Sequence, residues 1–385
     1  MPDTEQQRTI RMPGARWDAL IIGGGLAGST AACCLARAGK KTLLIEKEAR
    51  AHHKVCGEFL SFEAQTYLRK LGVNLGTLGA TPLRFVRLSM GRQSARARLP
   101  FTALSLSRFV LDEHLLALAA AYGAEIRRGY KATRLMSVDR RWQAEANGLA
   151  DVEADAIFLA TGKHDLNGSK RPPGRQNDFI GFKMHFTCTA RQRQALSLHT
   201  DIMLFDGGYA GLQPIEDGKA NLCLLIDKHR FAELGRNWQA LLVDLAQSSV
   251  HLSEFLEEAI PCWRRPIAIA SLPYGYIHAP SGEREGVYRL GDQFAVIPSF
   301  SGEGMSIALH TAKLSVNNFL NNGTAMDFHR RARQEIKPQM RIALRLARII
   351  EKPAIRGLGF AACRFFPTLM TQVTKQTRLR AFVSG

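Results

Sequence analysis

No run of about 18 consecutive apolar residues occurs in this 385-residue sequence, so it offers no segment of the length that crosses a bilayer as a helix. The first sixteen residues are polar and lack the apolar stretch of a signal peptide, and the expectation is a cytoplasmic protein, either free or peripheral to a membrane. Cysteine is sparse and unpatterned. The seven residues Cys33, Cys34, Cys56, Cys188, Cys223, Cys262 and Cys363 form no CxxC pair and no partnered histidine spacing, which argues against a disulfide framework or a metal site. The 33 glycines and 15 prolines follow no period, excluding collagen-like and low-complexity architectures. Acidic residues are also in deficit, 34 against 52 basic ones, for a formal charge of +18. Thirteen lysines and arginines against three acids lie from Asp327 onward, so the C-terminal region carries ten charges of that excess.

What is present is a globular composition, 46% hydrophobic and 22% charged, with one well-marked motif. The apolar run Trp17–Ile22 leads into Gly23-Gly24-Gly25-Leu26-Ala27-Gly28 and then into apolar residues at helical spacing, which reads as strand, tight turn, helix. In a dinucleotide-binding fold Gly23 makes the turn, Gly25 lets the backbone approach a pyrophosphate at the helix N-terminus, and Gly28 lets helix and sheet pack closely. The next apolar run, 41–46, ends in Glu46, placed to accept from a ribose hydroxyl and ill suited to a 2′-phosphate. FAD and NAD both fit these residues.

Two later segments bear on that choice. A buried-type strand over 154–159 ends in Ala160-Thr161-Gly162, small residues at the carboxyl edge of a sheet. Tyr288-Arg-Leu-Gly291-Asp292 ends another short strand, and Pro298, Gly302 and Gly304 precede a helical run beginning at Met305. In this order the motifs resemble the FAD-dependent oxidoreductases that include the geranylgeranyl reductases and the aromatic-ring hydroxylases with a single dinucleotide-binding fold. The resemblance implies FAD as cofactor, with Gly291 and Asp292 on its ribityl chain, Pro298, Gly302 and Gly304 beside its ring, and Arg108 near it. It also matches Cys56-Gly57 to a pair found in the isoprenoid reductases. The Trp-x-Trp-x-Ile-Pro segment of flavin halogenases is absent, as is the Asp-Gly pair that ring hydroxylases carry after the 154–159 strand.

The implied fold class is α/β: a Rossmann-like FAD-binding domain over 15–81, 105–169 and 286–321, an inserted antiparallel-sheet substrate domain over 82–104 and 170–285, and basic C-terminal helices over 322–385. Glycines and alternation within 208–226 suggest a hairpin carrying Tyr209 and Pro214. The implied activity is reduction or dehydrogenation of a carbon–carbon bond in a hydrophobic, lipid- or polyketide-like substrate; oxygen insertion by a monooxygenase is the alternative. With no second complete glycine motif, NAD(P)H, if used, would bind transiently as electron donor, and an external reductant is the alternative.

Four residues are candidates for chemistry. Cys56 reads as a proton donor, a redox partner or an apolar wall. Glu58 reads as a general acid or as a charge at the start of the helical run from Ser61. Alternation in Phe179–Phe186 puts Lys183 and His185 on one strand face, which either lines the cavity over the cofactor or meets water. In the tail, Arg341, Arg345 and Arg348 flank an apolar stripe, and Leu358, Phe365 and Phe366 follow before Lys375, Arg378 and Arg380. These residues fit either a packed helical cap or a docking element for an anionic membrane surface or an acyl carrier protein. No recognition motif points to nucleic acid.

Overall fold

A computed structural model describes residues 16–138, 141–167, 169–174, 178–280 and 285–379. Arg380 lies outside the described residues.

The apolar runs that flank the glycine turn become the centre of a parallel sheet. Trp17–Ile22 pairs with Thr42–Glu46 on one side and Leu149–Leu159 on the other, and the order continues outward to Glu125–Arg128 and to Val287–Arg289, all parallel. Parallel strands joined by a helix must be covered on both faces, and their near-continuous apolar sequences reflect this. Helix Leu26–Arg37 crosses between the first two strands and is buried along Leu26 to Leu35, against helices Arg108–Ala121 and Gly304–Leu320. The other face is covered by the antiparallel strands Ala132–Val138 and Arg141–Ala146, where Trp142 joins Leu20, Leu43 and Ile157.

A nine-stranded sheet stands over the carboxyl ends of these strands. Its order is Ile260–Pro261, Phe179–Thr187, Lys219–Asp227, Gly208–Pro214, Leu198–Phe205, Thr81–Met90, Gln93–Ser105 and Phe59–Leu60, with Ile267–Ala270 also on Phe179–Thr187. One pairing, Leu198–Phe205 with Thr81–Met90, is parallel and the rest are antiparallel. The hairpin through Tyr209 and Pro214 is present, with Pro214 opposite Ala220. Phe182, Met184 and Phe186 point to one face, packed with Leu222, Leu241 and Phe255 beneath three short helices. Lys183, His185, Asn221 and Cys223 occupy the opposite face, turned toward the 53–58 loop.

The C-terminal region is helical: Ala325–Glu351, Pro353–Phe365 and Thr368–Gln376. The first of these starts well ahead of the basic stripe, at a capping box of Thr324 and Asp327, and runs through Pro338.

The glycine turn is fixed by two close approaches. Gly23 has φ of +106°, and a Cβ there would sit 2.4 Å from the carbonyl oxygen of Ala160; a Cβ at Gly28 would lie 1.9 Å from that of Gly23. Gly28→Ala therefore has to push helix Leu26–Arg37 off the sheet. We expect a loss of about 1–3 kcal/mol in urea unfolding, with weakened FAD retention; unchanged stability would show that the helix does not pack at this distance.

Candidate functional site

The carboxyl ends of four parallel strands deliver the residues singled out above to one crevice. A cavity of about 550 Å³ extends from Glu46 and Tyr130 past Gly25 and Arg108 to Gly302 and Gly304. Gly23, Gly25, Glu46, Cys56, Glu58, Arg108, Thr161, Gly162, Gly291, Asp292, Gly302 and Gly304 all line it. Gly28 and Pro298 do not; they shape the turns behind it. Lys183 and His185 do not line it either, because Glu58 stands between them and the cavity.

At one end, Glu46 Oε2 accepts from the backbone N–H of Gly24 at 2.6 Å, holding the acid beside the glycine turn. Helix Leu26–Arg37 starts at Gly25 with no side-chain cap, leaving its positive end to the cavity. Two cations stand over that end. A Cβ on Gly25 would lie 3.4 Å from Arg108 Nη2 and 3.6 Å from Lys54 Nζ. Both cations are tied to one buried acid. Arg108 Nε and Nη2 donate to the two oxygens of Asp112 at 2.8 and 2.9 Å, and Lys54 Nζ donates to Asp112 Oδ2 at 2.8 Å. Burial opposes a charge on Asp112, but Arg108 and Lys54 hold its carboxyl below the usual carboxylate range. Neither Lys54 nor Asp112 stands out in sequence, although the i, i+4 spacing of Arg108 and Asp112 was a usable signal.

In the middle, the Ala160–Asp165 turn is laced to the Gly291–Gln293 turn. Gln293 Nε2 donates to the carbonyls of Gly162 and His164 at 2.8 and 2.9 Å, and Arg171 Nη1 donates to that of Asp292 at 2.6 Å. Thr161 Oγ1 donates within its turn to the carbonyl of His164. At the far end, helix Gly304–Leu320 also begins without a side-chain cap, and a Cβ on Gly304 would meet nothing within 4 Å. An open glycine backbone at both helix ends, two cations at the first, and an acid beside the glycine turn suit a long diphosphate-bridged dinucleotide, so the residues present fit FAD.

The 53–58 loop forms the wall between the two sheets. Glu58 is fully buried with φ of +59°, a left-handed conformation that costs a non-glycine residue of order 1–3 kcal/mol. Its carboxylate is held from three sides. Lys183 Nζ donates to Oε1, His185 Nε2 donates to Oε2 at 2.8 Å, and the backbone N–H of Arg108 donates to Oε1 at 2.8 Å. The face of Lys183 and His185 therefore meets neither water nor the cavity, but this carboxylate. Glu58 also caps a different helix from the one its sequence position suggests: it sits at the start of Arg108–Ala121, while Ser61 caps Phe62–Lys70. Burial alone would raise the Glu58 carboxyl, yet Lys183 and His185 together hold it below the usual range.

Cys56 faces the cavity, and its Sγ accepts from the backbone N–H of Glu58 at 3.3 Å. Asn221 Nδ2 donates to the carbonyls of Cys56 and Gly57, both at 3.1 Å, which locks the loop to the sheet. His53, which sequence reading passed over, stacks on Phe109 and leans on His185 and Trp263. Burial, together with Lys183 and His185, drives its imidazole down to about 4, so it is neutral near pH 7.

Fold and cavity together define a dinucleotide-binding α/β oxidoreductase with a sheet closing over the cofactor. A model of the FAD binding domain matches residues 16–154. Menaquinone reductase of Mycobacterium tuberculosis is 26% identical over 319 residues, 77% of this chain and 75% of its own. Digeranylgeranylglycerophospholipid reductase 2 of Methanopyrus kandleri is 24% identical over 78% of this chain and 76% of its own. Among solved structures, the flavin-dependent brominase Bmp2 superposes with a TM-score of 0.76 over 94% of this chain and 93% of its own, at 18% identity, a likeness of fold. The chain carries an FAD binding domain and is an FAD-dependent oxidoreductase, similar over about three quarters of its length to the two reductases.

Two outcomes test the geometry. Arg108→Ala should weaken FAD binding by roughly tenfold or more, since a charge-assisted contact is worth about 1.5–3 kcal/mol; equilibrium dialysis gives the constant, and unchanged affinity would remove Arg108 from the phosphate end. Glu58→Gln leaves Lys183 buried without its counter-charge and should cost about 3–5 kcal/mol. Because the folded Glu58 pKa is depressed, its stabilisation is complete above the ordinary carboxylate pKa and drains away as pH falls through the folded value. Urea midpoints against pH should drop in that acid window for the wild type and lose this component in the variant.

Proposed function

We propose that the protein adds hydrogen across a carbon–carbon double bond of a lipid-like substrate. The observation that carries this reading is the apolar lobe of the cavity, where Phe59, Val86, Leu99, Ile202 and Phe300 adjoin the Gly302–Gly304 turn. The two reductase relatives, alike over three quarters of the chain, support it. When bound, FAD supplies the hydride chemistry. The protein's own groups then have three tasks.

Gly25, Arg108 and Lys54 would hold the diphosphate, Glu46 the ribose, and Gly291 and Asp292 the ribityl chain, so that the reactive ring lies against Gly302 and Gly304. The open N-terminus of helix Gly304–Leu320 points positive backbone dipole at that end, where it favours negative charge. Cys56 is the proton source in this reading. Its thiol lies on the cavity wall of the loop, whereas both oxygens of Glu58 are occupied by Lys183, His185 and the Arg108 N–H. A carboxylate so held is a poor acid and a good anchor. Glu58, Lys183 and His185 are therefore positioning residues that set where the Cys56 thiol sits. The electron donor in this scheme is either a nicotinamide cofactor that binds transiently, since the sequence contains the glycine motif once, or another external reductant.

Turnover of a polyprenyl lipid or a long-chain quinone, followed by mass spectrometry under strict exclusion of oxygen, tests the reading. A product two hydrogens heavier supports it. An absolute oxygen requirement with an oxygen atom gained would overturn it in favour of a monooxygenase. Cys56→Ala should cut kcat by roughly 10²-fold or more while the flavin remains bound and reducible. An unaffected kcat would move the proton source elsewhere.

A further inference from the structure

The last two helices carry their apolar residues on the wrong side for a protein surrounded by water. Along Pro353–Phe365 and into Thr368–Gln376, Ile355, Leu358, Phe365, Phe366 and Leu369 recur at helical spacing and are exposed, with Leu358 at 73%, Phe365 at 74% and Phe366 at 67%. Single exposed apolar residues are ordinary; a continuous stripe of large ones marks an interaction surface. Exposed Arg345, Arg348, Lys352, Arg364 and Lys375 flank and interrupt the stripe in the chain, with Glu351 as the acid among them. Among the described residues, no helix is long and apolar enough to cross a membrane.

The inner side of the same helices is occupied. Met370 packs with Val86, Leu99 and Ala103, and Cys363 lies against that cluster. Thr374 and Arg378 line the cavity. The helices that carry the exposed apolar stripe are thus packed on Val86 and Leu99, which belong to the apolar lobe of the cavity.

We propose that this outer face docks on an anionic lipid bilayer, with Leu358, Phe365 and Phe366 inserted at the headgroup boundary and the surrounding cations on lipid phosphates. An aromatic and aliphatic stripe flanked by lysine and arginine is the composition of an in-plane membrane helix, and the basic surplus selects an anionic surface over a neutral one. The helices that lie on the membrane then also roof the substrate lobe, so that a lipid can pass between bilayer and cavity without crossing water. The docking claim stands apart from the reductase reading and would survive its failure.

The test uses the full chain with FAD bound and vesicles of phosphatidylcholine with or without phosphatidylglycerol. The wild type should sediment with the phosphatidylglycerol vesicles, lose at least tenfold in apparent affinity when phosphatidylglycerol is omitted, and be released by salt. The triple variant Leu358→Glu, Phe365→Glu, Phe366→Glu should bind at least tenfold more weakly, with its flavin content and thermal midpoint unchanged, since all three side chains are exposed. Val243→Glu, at an exposed apolar site elsewhere, should bind as the wild type does. Three results would overturn the proposal: no sedimentation of the wild type, equal sedimentation of the triple variant, or a triple variant that turns a dimer into a monomer while the wild type ignores vesicles. The last would assign the stripe to a second copy of the chain.

Discussion

A single buried carboxylate joins the two sheets. Glu58 belongs to the loop that leaves the parallel sheet after Glu46, receives Lys183 and His185 from strand Phe179–Thr187 near one edge of the upper sheet, and accepts the first backbone N–H of helix Arg108–Ala121. Three segments distant in sequence are thereby referred to one point. Desolvating a carboxylate and an ammonium is costly, and such a cluster adds less to stability than its contacts suggest. Its value lies in placement. The positive φ at Glu58 turns the loop so that Cys56 faces the cavity, and the bond to the Arg108 N–H fixes the start of the helix whose guanidinium stands over Gly25. The Gly25 end of the cavity and the Cys56 wall thus share one reference, and a shift in either reaches the other through a group too tightly held to slide.

The second buried acid, Asp112, works on the same principle beside Gly25. Arg108 and Lys54 would repel one another if left alone beside Gly25; with Asp112 between them both can face an anion. The two acids differ in what they leave available. Asp112 orients cations that line the crevice, whereas Glu58 keeps Lys183 and His185 behind it and shows the cavity only its own edge. One arrangement prepares a binding site for charge, and the other seals charge away from an apolar pocket.

The glycine motif, Glu46 and the Gly291–Asp292 turn were legible in sequence because each depends on a few consecutive residues whose backbone demands no other residue meets as well. The hairpin at Tyr209 was legible for the same reason. Lys183 and His185 could be placed on a common strand face by alternation, but not assigned a neighbour, because their partner lies 125 and 127 residues away in a loop without periodicity. Asp112 reads as an ordinary polar turn of a helix until Lys54 is brought beside it. In the tail, periodicity revealed apolar stripes but not which of them would be covered: Ala343, Leu344 and Ala347 pack inward, while Leu358, Phe365 and Phe366 do not. Burial is a property of the assembled molecule, and amphipathicity alone does not reveal what lies against the apolar side.

The tail is more than a cover. Arg378, just beyond the last helix, lies 2.6 Å from the carboxylate of Glu303 and donates to the carbonyl of Ser301, the two residues that flank Gly302. Glu303 is fully buried, and burial lifts its carboxyl to about 8 against the pull of Arg378. The turn at Gly302 is therefore clasped by the residue just beyond Thr368–Gln376, in the same tail that carries the outer apolar stripe. A displacement of Thr368–Gln376 would loosen Arg378 from Ser301 and Glu303, and with them the geometry of Gly302 and Gly304. The exposed stripe of Pro353–Phe365 and the clasp of Arg378 on the Gly302 turn belong to one tail, joined through Thr368–Gln376, so whatever settles on the outside bears on the turn within.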